Sequence, residues 1–172
     1  MVPPVLFRLL FVLTCLSTLP ALADPPQGAV PVTLSPLPAT ATLSVTGADG
    51  RTVTYDQAAL ETLPTYALMT DTPWHASTRF EGVLLSDLLE RHGLTRMAFE
   101  VVAENDYATI FDIGAAARDA VLIATRADGD RLVLRDRGPF LFVVPAELRE
   151  DRGGPVGERY LVWMAARIAA AG

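Results

Sequence analysis

Four side chains at the ends of apolar runs stand out for their chemistry. Glu104 and Asp106 are carboxylates on either side of Asn105, where the run Met97–Ala103 stops. Tyr107 follows at once, and Trp74 sits in a polar stretch after Thr72-Pro73. Arg135 and Arg137 precede the Gly138-Pro139 turn. Acids and aromatics at the ends of rigid strands suit a small-molecule pocket, because the strands fix the side chains that the loops present. Hydrolytic and metal chemistry find less support. His75 and His92 are the only histidines, and Cys15 is the only cysteine. Two distant histidines without a thiolate make a poor zinc site. The chain has no Gly-rich phosphate loop, no G-x-S-x-G and no H-E-x-x-H. Twenty acids could supply a catalytic carboxylate pair, but no spacing selects two of them.

The elements that must position these residues follow from local patterns. Met97–Ala103 is rich in Phe and Val, as a half-buried strand is, and the chain resumes as a strand at Tyr107. A short helix then precedes the apolar run Val121–Thr125. Asp128-Gly129 predicts a hairpin turn, since Gly accepts positive φ. Phe140–Val144 reads as a strand closed by Pro145. Upstream, Ala41–Gly47 and Arg51–Tyr55 alternate around Asp49-Gly50 and predict a hairpin. Asp56 is an N-cap for a helix over Gln57–Leu63, ended by Pro64. Tyr66–Thr70 reads as a strand. Leu85, Leu88 and Leu89 share one face of a helix that runs to Arg91, with Gly93 as its C′ residue. His92 beside that helix end has a ready structural role. Glu147–Glu158 is charged and Gly-rich, a surface loop, and Arg159–Ala170 reads as a final strand with Trp163 in the core. Strands outnumber helices without regular alternation, so the fold class is α+β.

Residues 1–23 carry one charge, Arg8, an apolar run from Leu9 to Leu19 and an Ala21-Leu22-Ala23 cleavage site, the pattern of a secretory signal peptide. The expected location is therefore periplasmic or secreted. Residues 24–39 are Pro-rich and read as an extended linker, leaving 40–172 as one domain. Cys15 falls in the leader, so the mature chain has no disulfide and no thiolate ligand. The net charge is −6, with no lysine, which argues against nucleic acid as a partner.

The order Asp106-Tyr107-Ala108, Val121-Leu122-Ile123-Ala124, Asp128-Gly129 and Gly138-Pro139-Phe140 through Val144-Pro145 resembles the molybdopterin-binding domain of the sulfite oxidase type. Phe80 to Leu89 with Gly93 resembles the strand, turn and helix that precede it there, and the likeness runs over about residues 40–170. The resemblance implies a sulfite-oxidase-like fold, a mixed sheet core with short helices. Enzymes of that family hold molybdenum through the dithiolene of molybdopterin and one cysteine thiolate. Here the equivalent stretch, Leu68–His75, has no cysteine, and Leu141 and Phe142 stand where the enzymes place an arginine. A soft thiolate is hard to replace with oxygen or nitrogen, so molybdenum is not expected and binding is favoured over catalysis.

Small cysteine-free secreted members resemble a periplasmic pterin-binding regulator that works with a membrane-bound enzyme making and degrading cyclic di-GMP. That resemblance implies a reduced pterin such as a monapterin as ligand, and the periplasmic part of such an enzyme as partner. A pterin edge offers a ring N–H and a 2-amino group to one carboxylate, and its face suits an aromatic ring. Asp106 or Glu104 would supply the carboxylate and Tyr107 or Trp74 the stacking face, with Arg135 and Arg137 at the rim. The residues themselves also allow Asp106 to serve only as a turn residue and Tyr107 only as core. Two other readings stay open. One is a molybdopterin-dependent oxidoreductase-like subunit. The other is an interaction module without ligand, docking through an edge strand or the loop Glu147–Glu158.

Overall fold

The computed structural model describes residues 30–34 and 41–172. The leader over 1–23 and most of the expected linker lie outside the described residues. Within that linker, Val30–Val32 forms strand β1. It is an edge strand, which tolerates Pro31 because an outward-facing position needs no N–H donor.

Two sheets pack face to face. The first runs β1, β4 (Thr65–Thr72), β5 (His75–Leu84), β8 (Leu122–Ala127) and β10 (Leu141–Val143), with β9 (Asp130–Arg131) paired to β8. The second runs β3 (Thr52–Asp56), β2 (Thr42–Thr46), β11 (Ala165–Ala170), β6 (Phe99–Ala103) and β7 (Ala108–Phe111). Pairing is antiparallel except between β2 and β11. Period-two alternation sorts the side chains. Ile123 on β8 joins the core between the sheets with Val45, Val101, Phe142 and Ile168. Its neighbours Leu122 and Ala124 face the other way, into a second cluster with Tyr66, Phe80 and Leu141. The first sheet is thus covered on both faces, which accounts for its unbroken apolar runs. The second sheet buries one face. Its other face carries Ser and Thr, with Thr46 and Thr52 hydroxyls 2.9 Å apart across the hairpin.

The helices are short: α1 (Gln57–Leu60), α2 (Leu85–Arg91) and α3 (Ala115–Asp119). Asp56 caps α1, accepting from Ala59 N at 2.6 Å. This helix ends three residues earlier than its sequence pattern suggests. The chain tightens there to i→i−3 bonds, Thr62 N to Ala59 O and Leu63 N to Leu60 O. The Glu61 carboxylate is drawn inward onto Arg126 (2.8 Å) and Thr125 (2.6 Å). Leu85, Leu88 and Leu89 of α2 are buried, and Gly93 takes φ 69° just past its end.

Two expectations need correction. Arg159 does not begin the last strand. Residues Glu158–Tyr160 form a 3-10 turn because Tyr160 is pulled into the core against Phe111, ring centres 4.9 Å apart. Met164 at φ 53° then breaks the extended run, and β11 starts at Ala165. Nor is the segment Glu147–Glu158 merely a solvated loop. Arg149 is only 4% exposed, bonding Asp151 at 3.0 Å and the main-chain oxygen of Asp71.

Candidate functional site

The β4–β5 turn, Pro73-Trp74, brings Trp74 to the surface of the double-sheet body. Thr72 Oγ1 accepts from Trp74 N (3.2 Å) and His75 N (3.0 Å), which fixes the turn. Asp71, the residue before it, is clamped by Arg149 (3.3 Å) and Arg152 (2.8 Å). Partial burial raises the Asp71 carboxyl, but the hydrogen bond and charge of Arg149, with Arg152, outweigh it and hold it below the usual range. The adjacent His75 ring lies edge-on to Phe80 at 5.3 Å, and burial pushes its pKa down. His75 is a packing residue of the hairpin, its Nδ1 lying 3.0 Å from Thr72 Oγ1.

Trp163 approaches from the other side of the site, one residue before the bend at Met164. Arg137 holds the two indoles together. Its guanidinium carbon lies 4.3 Å from the Trp74 ring centre and 4.8 Å from that of Trp163. Trp74 and Trp163 are the only tryptophans in the chain. Both line an open cavity of about 330 Å³ with Asn105, Tyr107, Glu158 and Arg159. Tyr107 is 43% exposed, and its hydroxyl donates to Arg159 O at 3.1 Å. Glu158 and Leu161 also line a neighbouring hollow of about 300 Å³ beneath Pro73 and Arg149.

Behind the cavity, the Arg159 guanidinium lies over the Tyr160 ring at 4.5 Å. Asp112 accepts from the Tyr160 hydroxyl, and that bond, with Arg159 nearby, lowers its pKa. Gln57, fully buried, supports the segment that carries Arg137. Its Nε2 reaches Pro139 O (2.9 Å), Leu132 O (3.2 Å) and Thr125 O (3.2 Å), while its Oε1 accepts from Arg131.

Of the six residues read from the sequence, Trp74 and Tyr107 line this cavity and Arg137 backs its two indoles. The other three stand outside its wall. Asp106 holds the turn between β6 and β7 at φ 63°, donating its N–H to Ala103 O (3.1 Å). Glu104 uses its main-chain N–H on Met164 O (2.9 Å) and leaves its side chain exposed. Arg135 is 86% exposed and pairs with its neighbour Asp136 at 3.3 Å. The carboxylate on the wall is Glu158 instead. Sequence reading left Glu158 in the charged loop and put Arg159 and Trp163 in the last strand, Trp163 as core; Trp163 does pack on the second core cluster and also reaches the cavity. The clue was an indole beside a charged segment, which a plain core strand does not need.

A larger open hollow, about 690 Å³, lies elsewhere, beside Tyr55 and His92. Tyr55 is buried there, and its hydroxyl lies 2.9 Å from His92 Nε2.

Residues 27–156 match the model of the oxidoreductase molybdopterin binding domain. The chain belongs to that family. The solved structure of the sulfane dehydrogenase SoxCD from Paracoccus pantotrophus shares the fold, with a TM-score of 0.55 and 17% identity. That match covers 76% of this chain and 38% of the SoxCD chain, so the domain spans well under half the length of that protein. Comparison with curated proteins finds no match to the sequence.

The family implies a molybdopterin, and its two parts fit this domain differently. The aromatic walls of the cavity suit the flat pterin ring. The metal is another matter. Cys15 is the single cysteine of the sequence and β4–β5 has none. Among the described residues no three of His, Cys, Asp and Glu converge as a metal site. A molybdenum held by a protein thiolate does not fit this donor set.

Proposed function

We propose that the domain binds a reduced pterin or a similar planar heterocycle in the Trp74–Trp163 cavity and acts as a binding protein, not a catalyst. The observation that carries this reading is the pair of indoles held by Arg137 at the mouth of an open cavity that also presents Tyr107 and Glu158. An indole or phenol face covers the flat ring, and the Glu158 carboxylate accepts from the ring N–H and the 2-amino group. Charge-assisted bonds of that kind contribute about 1.5–3 kcal/mol each. Arg149 and Arg152 stiffen the Trp74 turn through Asp71, so little order remains to be imposed on binding.

The leader pattern supports a periplasmic or secreted setting, where the domain reports its ligand to a membrane-bound partner of the cyclic di-GMP type. Titration calorimetry of the mature protein at roughly 100 µM with reduced pterins tests the ligand, a level that detects micromolar binding. Heat of binding and a change in tryptophan emission are expected. No heat with any pterin removes the proposal. Stoichiometric molybdenum in protein purified from its native host overturns the non-catalytic part.

A further inference from the structure

Strand β7 closes one side of the second sheet, and among the described residues no strand pairs with its outer edge. The ladder to β6 decides which groups are left open. Ala103 N bonds Tyr107 O at 2.8 Å, and bonded pairs alternate along an antiparallel ladder. Thr109 and Phe111 therefore turn their main-chain groups toward β6, while Ala108 and Ile110 turn theirs off the edge. The side chains of Ala108 and Ile110 are also exposed, Ile110 by half, on a sheet face that carries Val102, Glu100 and Arg167 before it reaches the Ser and Thr of β2 and β3. Natural edges are blunted by Lys, Pro, a bulge or an inward charge. The run Ala108-Thr109-Ile110-Phe111 has none of these.

Charge frames the edge. Asp106, exposed, precedes it and Glu100 lies opposite Ile110 on β6, while Asp112 after it already meets the Arg159 guanidinium and the Tyr160 hydroxyl. We propose that β7 is a docking edge for an extended segment of a partner protein, apolar beside Ile110 and carrying arginine or lysine at the flank that meets Asp106. A second copy of this chain could meet the edge in two symmetric antiparallel registers: about Ile110, which the oligomeric state tests, or about Thr109, which sets Asp106 opposite Asp112 at both ends. Like charges placed directly opposite are destabilising.

Both ends of this edge rest on a residue of the ligand cavity. Tyr107, leading into β7, donates to Arg159 O at 3.1 Å. Asp112, leaving it, lies 3.5 Å from the Arg159 guanidinium. Coupling of the edge to the cavity rests on the ligand reading given above; the docking itself does not.

The test uses the mature protein and a capped heptapeptide, Arg-Thr-Val-Thr-Val-Thr-Arg, with a Glu-ended counterpart. The Arg-ended peptide is expected to bind at least tenfold more tightly than the Glu-ended one. Ala108→Pro, which removes an outward N–H without touching the β6 ladder, and Ile110→Glu are each expected to weaken it at least tenfold. Circular dichroism checks the fold, and Asp106→Asn, suited to a left-handed turn, is expected to narrow the preference for arginine. Absence of binding at millimolar peptide, equal affinity in both edge variants, or equal affinity for the two peptides overturns the proposal. So does a dimer that Ile110→Glu abolishes, which would assign the edge to a second copy. Tryptophan response to a reduced pterin is read in the same samples. Peptide binding without that response removes the ligand reading alone, and the reverse removes the docking alone.

Discussion

The main-chain oxygen of Arg137 accepts a hydrogen bond from Met164 N at 3.2 Å, and both residues hold left-handed backbone, at φ 63° and 53°. Such conformations are rare outside glycine and call for surrounding structure that enforces them. Here the bond splices the segment carrying the cation to the segment carrying Trp163. Arg137→Ala isolates the side chain, because alanine meets the same backbone penalty. Two cation–π contacts at about 0.5–1 kcal/mol each are lost. We expect shifted tryptophan emission in the free protein and pterin affinity lower by about tenfold. Unchanged emission would show that the guanidinium does not fix the indoles.

Glu158 and Asp106 separate the cavity from the neighbouring turn. Glu158→Gln removes a carboxylate from the cavity wall and should weaken pterin binding by about tenfold or more, with little change in melting temperature. Asp106→Ala should do the opposite. Alanine at φ 63° costs about 1 kcal/mol, a drop of a few degrees, while affinity stays within about twofold. Calorimetry and thermal melts on both variants check this. Tenfold loss in Asp106→Ala would return that carboxylate to the ligand.

Gln57 should behave as a positioning residue. Gln57→Ala leaves buried carbonyls at Leu132 and Pro139 without their donor, each costing about 1–3 kcal/mol. The melting temperature should fall markedly, and affinity should fall with it, since residues 132–139 carry Arg137. A variant that melts earlier yet binds as tightly would show that the segment keeps its course without this support.

Asp87 predicts a pH signature. Burial pushes its carboxyl up, against the hydrogen bond of the Tyr66 hydroxyl, and Glu90 adds to the rise. Its Oδ2 is buried without a partner. The folded value thus lies above the unfolded one, about 3.9. The fold then holds a proton that the unfolded chain has released, so this stability is complete below the unfolded value and is lost as pH rises through the folded one. Asp87→Asn should raise the melting temperature at pH 7 and leave it nearly unchanged at pH 3. Melts across that range decide it, and a less stable variant at pH 7 refutes the account.

What the sequence disclosed was local. Asp56 before its helix, the apolar face of Leu85, Leu88 and Leu89, Gly93 at positive φ and the Asp128-Gly129 turn all follow from neighbours a few residues apart. Trp74 and Tyr107 were legible as aromatics in polar settings. The remainder needed the fold. Nothing near Arg149 shows that it will be buried against Asp71, 78 residues away. Trp163 was legible as core, and packs there, but its reach to the cavity follows from the left-handed bend at Met164, bonded to Arg137 O and not set by its own sequence.

The central strand of the second sheet is β11, which lies parallel to β2, with Ile168 beside Val45. More than a hundred residues separate the two, and β6 pairs with the other side of β11. The sheet cannot be laid down until residues 165–170 are in place, because β2 and β6 have no direct ladder to each other. Closure through so distant a pairing favours slow, all-at-once assembly over stepwise growth.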